Sequence, residues 1–159
     1  MKRRNLIVTL TLSALFCTLI CVGSFIRIPM PNLMPITLQT FFVLLTALVL
    51  PFKASILAIT TYVALGLIGL PIFSGGGGIA YVLMPNFGFI IGFLLATVII
   101  SVITTKLKNR KLWHYIVISL LGIAIIYIIG ILYFVFITNV VLPAESMFLY
   151  CFTTLERAS

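Results

Sequence analysis

Residues 87–105 read FGFIIGFLLATVIISVITT, an apolar run without a charged side chain. About 20 predominantly apolar residues in helical form cross the ~30 Å hydrocarbon core of a bilayer, so this stretch sets the fold class. A basic connector, 106–114, follows it, and a second long apolar run occupies 115–137. Toward the N-terminus lie three more, at 54–70, 36–50 and 5–23. The expectation is an all-α integral membrane protein, a compact transmembrane helix bundle with five spans. Segments 36–50 and 54–70 are short for a bilayer, so one of them is expected to start or end inside protein rather than lipid.

Composition agrees. Of 159 residues, 63% are hydrophobic and 8% charged, and the mean hydropathy is +1.35. A soluble domain carries about 25% charge to cover its core, so a soluble globule and a disordered chain are excluded. The net charge of +8 comes from scattered basic residues that make no phosphate-binding face, so nucleic acid is not a partner. Lys2, Arg3 and Arg4 before the apolar stretch 6–22 resemble a secretory signal. No small-x-small cleavage site follows, and the stretch is read as a retained first span. Cys17, Cys21 and Cys151 have no metal-ligand spacing; Cys17 and Cys21, four apart on one helix, read as packing residues.

The basic residues give the orientation. With the N-terminus in the cytoplasm, Lys2, Arg3, Arg4, Lys53, Lys106, Lys108, Arg110 and Lys111 fall inside, and Arg27 and Arg157 outside. This is a strong positive-inside bias. It puts the Pro-rich connector 24–36 and the Gly-rich loop 71–86 on the same external face. The connector, with three prolines in residues 29–35, has little capacity for regular helix.

Catalytic constellations are missing. The one histidine, His114, sits beside Trp113 and reads as an interfacial anchor, and both acids, Glu145 and Glu156, lie in the tail. The run Ser74, Gly75, Gly76, Gly77, Gly78 lacks a following Lys-Ser/Thr and is no P-loop. It is either a flexible hairpin or a tight reversal whose backbone N–H groups face a ligand. Thr37 either caps the second helix or points with Gln39 into an external pocket suited to a polar, uncharged head group. Arg27 is either an interfacial anchor or the partner of an anionic ligand group.

Two stretches carry a resemblance. Residues 26–45, IRIPMPNLMPITLQTFFVLL, and residues 66–78, GLIGLPIFSGGGG, the latter followed by Pro85 and Gly88, are similar to the two signatures of the BioY family. These are the biotin-binding S components of energy-coupling factor transporters. The resemblance implies a bundle of six helices in the bacterial cell membrane that takes biotin from outside. Biotin is then a transported ligand, not a cofactor. The bundle is surrounded by membrane lipid, and a coupling module of one transmembrane subunit and two ATPases supplies the energy. Small residues four apart on the family's first helix meet the coupling subunit. Here Ala14 and Thr18, or Ser13 with Cys17 and Cys21, have that spacing.

By resemblance the loop Gly75–Gly78 matches a ligand-contacting loop, with Gly77 where a family member has Asn. Tyr81 and Asn86 follow it, as sources of stacking and hydrogen bonding or as loop packing and a helix cap. The family's Pro-Phe-x-x-Gly-Asp-x-x-Lys motif, which opens its sixth helix, has no match here. The chain is therefore read as a transporter-like domain, 1–140, with an atypical tail, 141–159, truncated by one helix. Its alternatives are an inactive membrane remnant and an S component for another vitamin.

Overall fold

The computed structural model describes residues 2–30, 33–107 and 112–140. Five helices occupy them: α1 (Lys2–Phe25), α2 (Gln39–Val49), α3 (Phe52–Ile68), α4 (Phe87–Lys106) and α5 (Leu112–Val140). The tail 141–159, with Glu145, Cys151, Glu156 and Arg157, lies outside the described residues, as do Lys108, Arg110 and Lys111. Among the described residues three helices are long and apolar enough to cross a membrane: α1, α4 and α5. At 1.5 Å per residue, α2 is only about 16 Å long and α3 about 25 Å.

Prolines and glycines set the ends of the short helices. Leu50 precedes Pro51 and is extended, with φ −85° and ψ 150°, because the ring of the following proline disfavours helical backbone. Pro51 then starts α3: its carbonyl accepts from Ala54 N at 2.8 Å and Ser55 N at 3.0 Å. Ser55 Oγ closes the turn by donating to the Thr46 and Leu50 carbonyls, each at 3.1 Å. Helix α3 ends at Gly69, whose φ of +118° is open to glycine at no steric cost. Leu70 N reaches back to Leu65 O at 3.3 Å, the reversal that commonly closes a helix.

The connector after α1 is not irregular. Strands β1 (Arg27–Met30) and β2 (Leu33–Thr37) form an antiparallel hairpin, with Arg27 opposite Thr37 and Ile28 opposite Ile36. Register shifts between Ile28 and Met30, where Pro29 has no N–H to give to a ladder. The helix bundle stands as expected with this hairpin added to it, and α2 begins at Gln39 rather than Ile36 because Pro35 to Thr37 belong to β2. The Gly-rich loop likewise contains a 3₁₀ helix, Ile79–Leu83.

Helix α4 is the centre of the bundle. It packs against α2, α3 and α5, while α1 lies on α2 and α3. Close approach of α4 and α5 depends on Gly92, where a Cβ would stand 3.0 Å from the Ile126 backbone. Ile20, Val43, Ile59, Tyr62, Phe93 and Ile126 form the core. The outward faces of α1 and α5 are also apolar, with Leu6, Ile7, Leu10, Leu120, Leu132 and Phe136 exposed. Apolar residues both inside and outside are what a bundle solvated by lipid requires. The hairpin and the Gly-rich loop lie at one end of the bundle, and the α2–α3 turn, the end of α4 and the start of α5 at the other.

Candidate functional site

Gln39 is the first residue of α2 and is 3% exposed. A buried amide needs partners. Its Nε2 donates to Tyr62 Oη at 2.8 Å, and Tyr62 Oη donates to the Ile72 carbonyl at 3.2 Å. Ser24 Oγ, from the end of α1, donates to the same carbonyl at 2.6 Å. Three helices thus hold the start of the Gly-rich loop through one peptide group.

The loop is then folded tightly on itself. Phe73 and Gly76 exchange backbone hydrogen bonds at 3.0 and 3.2 Å, and Gly78 N donates to Gly66 O at 2.7 Å. A Cβ at Gly77 would overlap the Leu70 carbonyl, and one at Gly66 would overlap the Phe73 ring. Phe73 is buried between Tyr62 and Tyr81, with ring centroids 5.5 and 4.9 Å away. Tyr81 meets Phe87 at 6.5 Å, and Phe87 meets Tyr133 at 6.0 Å. Tyr133 Oη donates to Val82 O, so α5 holds the 3₁₀ helix in place.

Beside this scaffold is a cavity of about 80 Å³. Thr37, Gln39, Thr40, Ser74, Tyr81 and Asn86 give it a polar wall. Phe89, Ile90 and Phe93 of α4 and Ile126 and Tyr127 of α5 give it an apolar one. Phe89 and Tyr127 pack edge to face at 5.9 Å. No charged side chain lines it among the described residues. Such a cavity suits a ligand with a neutral hydrogen-bonding head and an apolar body.

Five candidates from the sequence meet here: Thr37, Gln39, Ser74, Tyr81 and Asn86. Gly75, Gly76, Gly77 and Gly78 do not line the cavity; Gly76 N and Gly78 N are committed to Phe73 O and Gly66 O. Gly75 lies behind the wall, its Cβ position 3.4 Å from the Tyr81 ring. Arg27 opens β1 opposite Thr37, and its side chain lies outside what is described. Thr37 does not cap α2, whose N-cap is Leu38, whereas Asn86 is the N-cap residue of α4 as one alternative had it, though without a side-chain cap bond. Sequence reasoning missed Thr40, the aromatic wall and Tyr62. Phe89 and Phe93 are four apart on α4 immediately after the second motif, a spacing that puts them on one face.

The fold and this cavity define a class, the small membrane bundle of a transporter S component. The chain is similar to the crystal structure of the S-component for biotin from an ECF-type ABC transporter, with a TM-score of 0.82 and 28% identity, over 96% of this chain and 84% of that one. Residues 1–156 match the BioY family model, and the chain belongs to the BioY family. It is 38% identical to the probable biotin transporter BioY of Lysinibacillus sphaericus, over 96% of this chain and 77% of that protein. It is 42% identical to the biotin transporter BioY of Thermotoga maritima, over 75% and 69%. These relatives are transporters, not enzymes.

Proposed function

We propose that this chain is the substrate-binding membrane component of a biotin uptake system. One observation carries the reading: in a BioY family member, the two motif segments converge on one cavity with a neutral polar wall and an aromatic wall. Biotin has the matching halves. Its ureido ring offers two N–H donors and a carbonyl, and its thioether ring and valeryl chain are apolar. Thr37, Gln39, Ser74 and Asn86 serve the ureido group, and Phe89, Phe93, Ile126 and Tyr127 pack against the rest. Arg27, whose backbone pairs with that of Thr37 in the hairpin, is the cation assigned to the carboxylate. The Gly-rich loop acts as the frame that carries Ser74.

Biotin enters from the external face, with the N-terminus in the cytoplasm, as the distribution of basic residues supports. A separate module of one transmembrane subunit and two ATPases supplies the energy. Ala14 and Thr18 are exposed on the outer face of α1, whereas Ser13 and Cys17 are buried, which favours the former pair as the docking stripe. Thr18 Oγ1 is satisfied by the Ala14 and Leu15 carbonyls at 3.1 and 2.7 Å, so its outer surface is apolar enough for a helix neighbour or lipid. Isothermal titration of the detergent-purified protein tests the reading. Saturable binding at one biotin per chain supports it, and a folded protein that takes up no heat with biotin refutes it.

A further inference from the structure

Tyr62 lines no part of the cavity and is fully buried, yet its hydroxyl bonds the Gln39 amide and the Gly-rich loop together. We infer that Tyr62 is a positioning residue that turns the Gln39 amide so that its oxygen, an acceptor, is what Gln39 offers the cavity. The proposal rests on the biotin reading above and deepens it by assigning what reads the ureido N–H.

The number of protons available fixes the orientation. A phenol has one, and Tyr62 gives it to the Ile72 carbonyl, which cannot donate in return. Tyr62 Oη can then only accept from Gln39, so the amide NH₂ must face it. Reversing the amide would draw the Tyr62 proton away from Ile72 and leave one hydrogen bond fewer in a buried cluster. A net hydrogen bond of about 1 kcal/mol corresponds to roughly fivefold, and 1.4 kcal/mol to tenfold, in the ratio of the two orientations. An amide fixed in this way is a donor-selective group: it rewards a ligand N–H and penalises a methyl in its place.

The test compares Kd for biotin with Kd for biotin methylated on either ureido nitrogen, in wild type, Y62F, S24A and Q39A. Wild type discriminates against at least one methylated form. Y62F lowers that discrimination by about five- to tenfold, Q39A lowers it to a floor, and adding Y62F to Q39A changes nothing further. S24A, which removes the other donor to Ile72 without touching Gln39, keeps the discrimination. Discrimination retained in Y62F, lost equally in S24A, or lost additively in Y62F and Q39A overturns the inference while leaving biotin binding intact. Wild type that binds no biotin overturns the underlying reading and the inference with it. Y62F also strands a buried amide, so thermal unfolding of Y62F, Q39L and Q39L/Y62F gives a second readout. Removing both partners recovers most of the melting temperature lost in Y62F, or restores a folded protein where Y62F alone does not fold. Additive losses refute the pairing.

Discussion

Gly77 and Gly75 lie two residues apart in the same loop, and the same substitution separates them. At Gly77 a Cβ would overlap the Leu70 carbonyl oxygen, with Leu70 C at 2.8 Å and Gly66 O at 3.1 Å. All three obstacles are backbone, so no side chain can swing aside. At Gly75 the nearest atom to a Cβ is a Tyr81 ring carbon at 3.4 Å, an ordinary contact. Overpacking costs about 1–3 kcal/mol, and displacing the loop also endangers the Gly78 N to Gly66 O bond, worth about 1 kcal/mol more. Gly77→Ala therefore loses about 2–4 kcal/mol, seen as a melting temperature several degrees lower. Because the loop carries Ser74 into the cavity, biotin affinity falls about ten- to hundredfold. Gly75→Ala keeps both within error. The assays are differential scanning fluorimetry and isothermal titration in one detergent. Equal behaviour of the two variants would refute the reasoning that the loop is a packed frame.

Other substitutions probe the rest of the account. Thr97 and Ser101, one turn apart on α4, are fully buried with no hydrogen-bond partner. An unpaired buried hydroxyl costs about 1–3 kcal/mol, so Thr97→Val and Ser101→Ala leave the melting temperature equal or raise it; a clear fall in both contradicts the assignment. Gly92→Ala, with Ile126 backbone at 3.0 Å, separates α4 from α5 and destabilises by about 1–3 kcal/mol, measured by thermal unfolding. Thr37→Val and Asn86→Ala weaken biotin by about tenfold each with little change in melting temperature, since neither side chain caps a helix. Ala14→Trp retains biotin binding but abolishes uptake in a biotin-requiring host that supplies the coupling subunits.

The long helices were legible because their length and charge-poor composition leave no soluble alternative. The hairpin was not, since Pro29, Pro31 and Pro35 argue against a ladder, and the strands accommodate Pro29 only through a shift in register. Thr37, Gln39 and Asn86 stood out because a polar residue is conspicuous in an apolar chain. The aromatic wall did not: α4 and α5 are apolar on every face, so periodicity cannot say which face turns inward. Tyr62 was hidden for the same reason, as one polar tip in an apolar helix. The glycine run reads either as a flexible hairpin or as a set of N–H groups for a ligand, whereas two of those groups close the loop on itself. Its composition reflects the space beside Leu70 and Gly66, which only a three-dimensional arrangement reveals.

The most direct test of the account is a crystal structure of this chain grown with saturating biotin. The account predicts the ureido ring against Gln39 and Thr37, with its apolar part on Phe89 and Phe93. Biotin seated elsewhere on the bundle, or a well-ordered cavity without biotin at saturation, would contradict it.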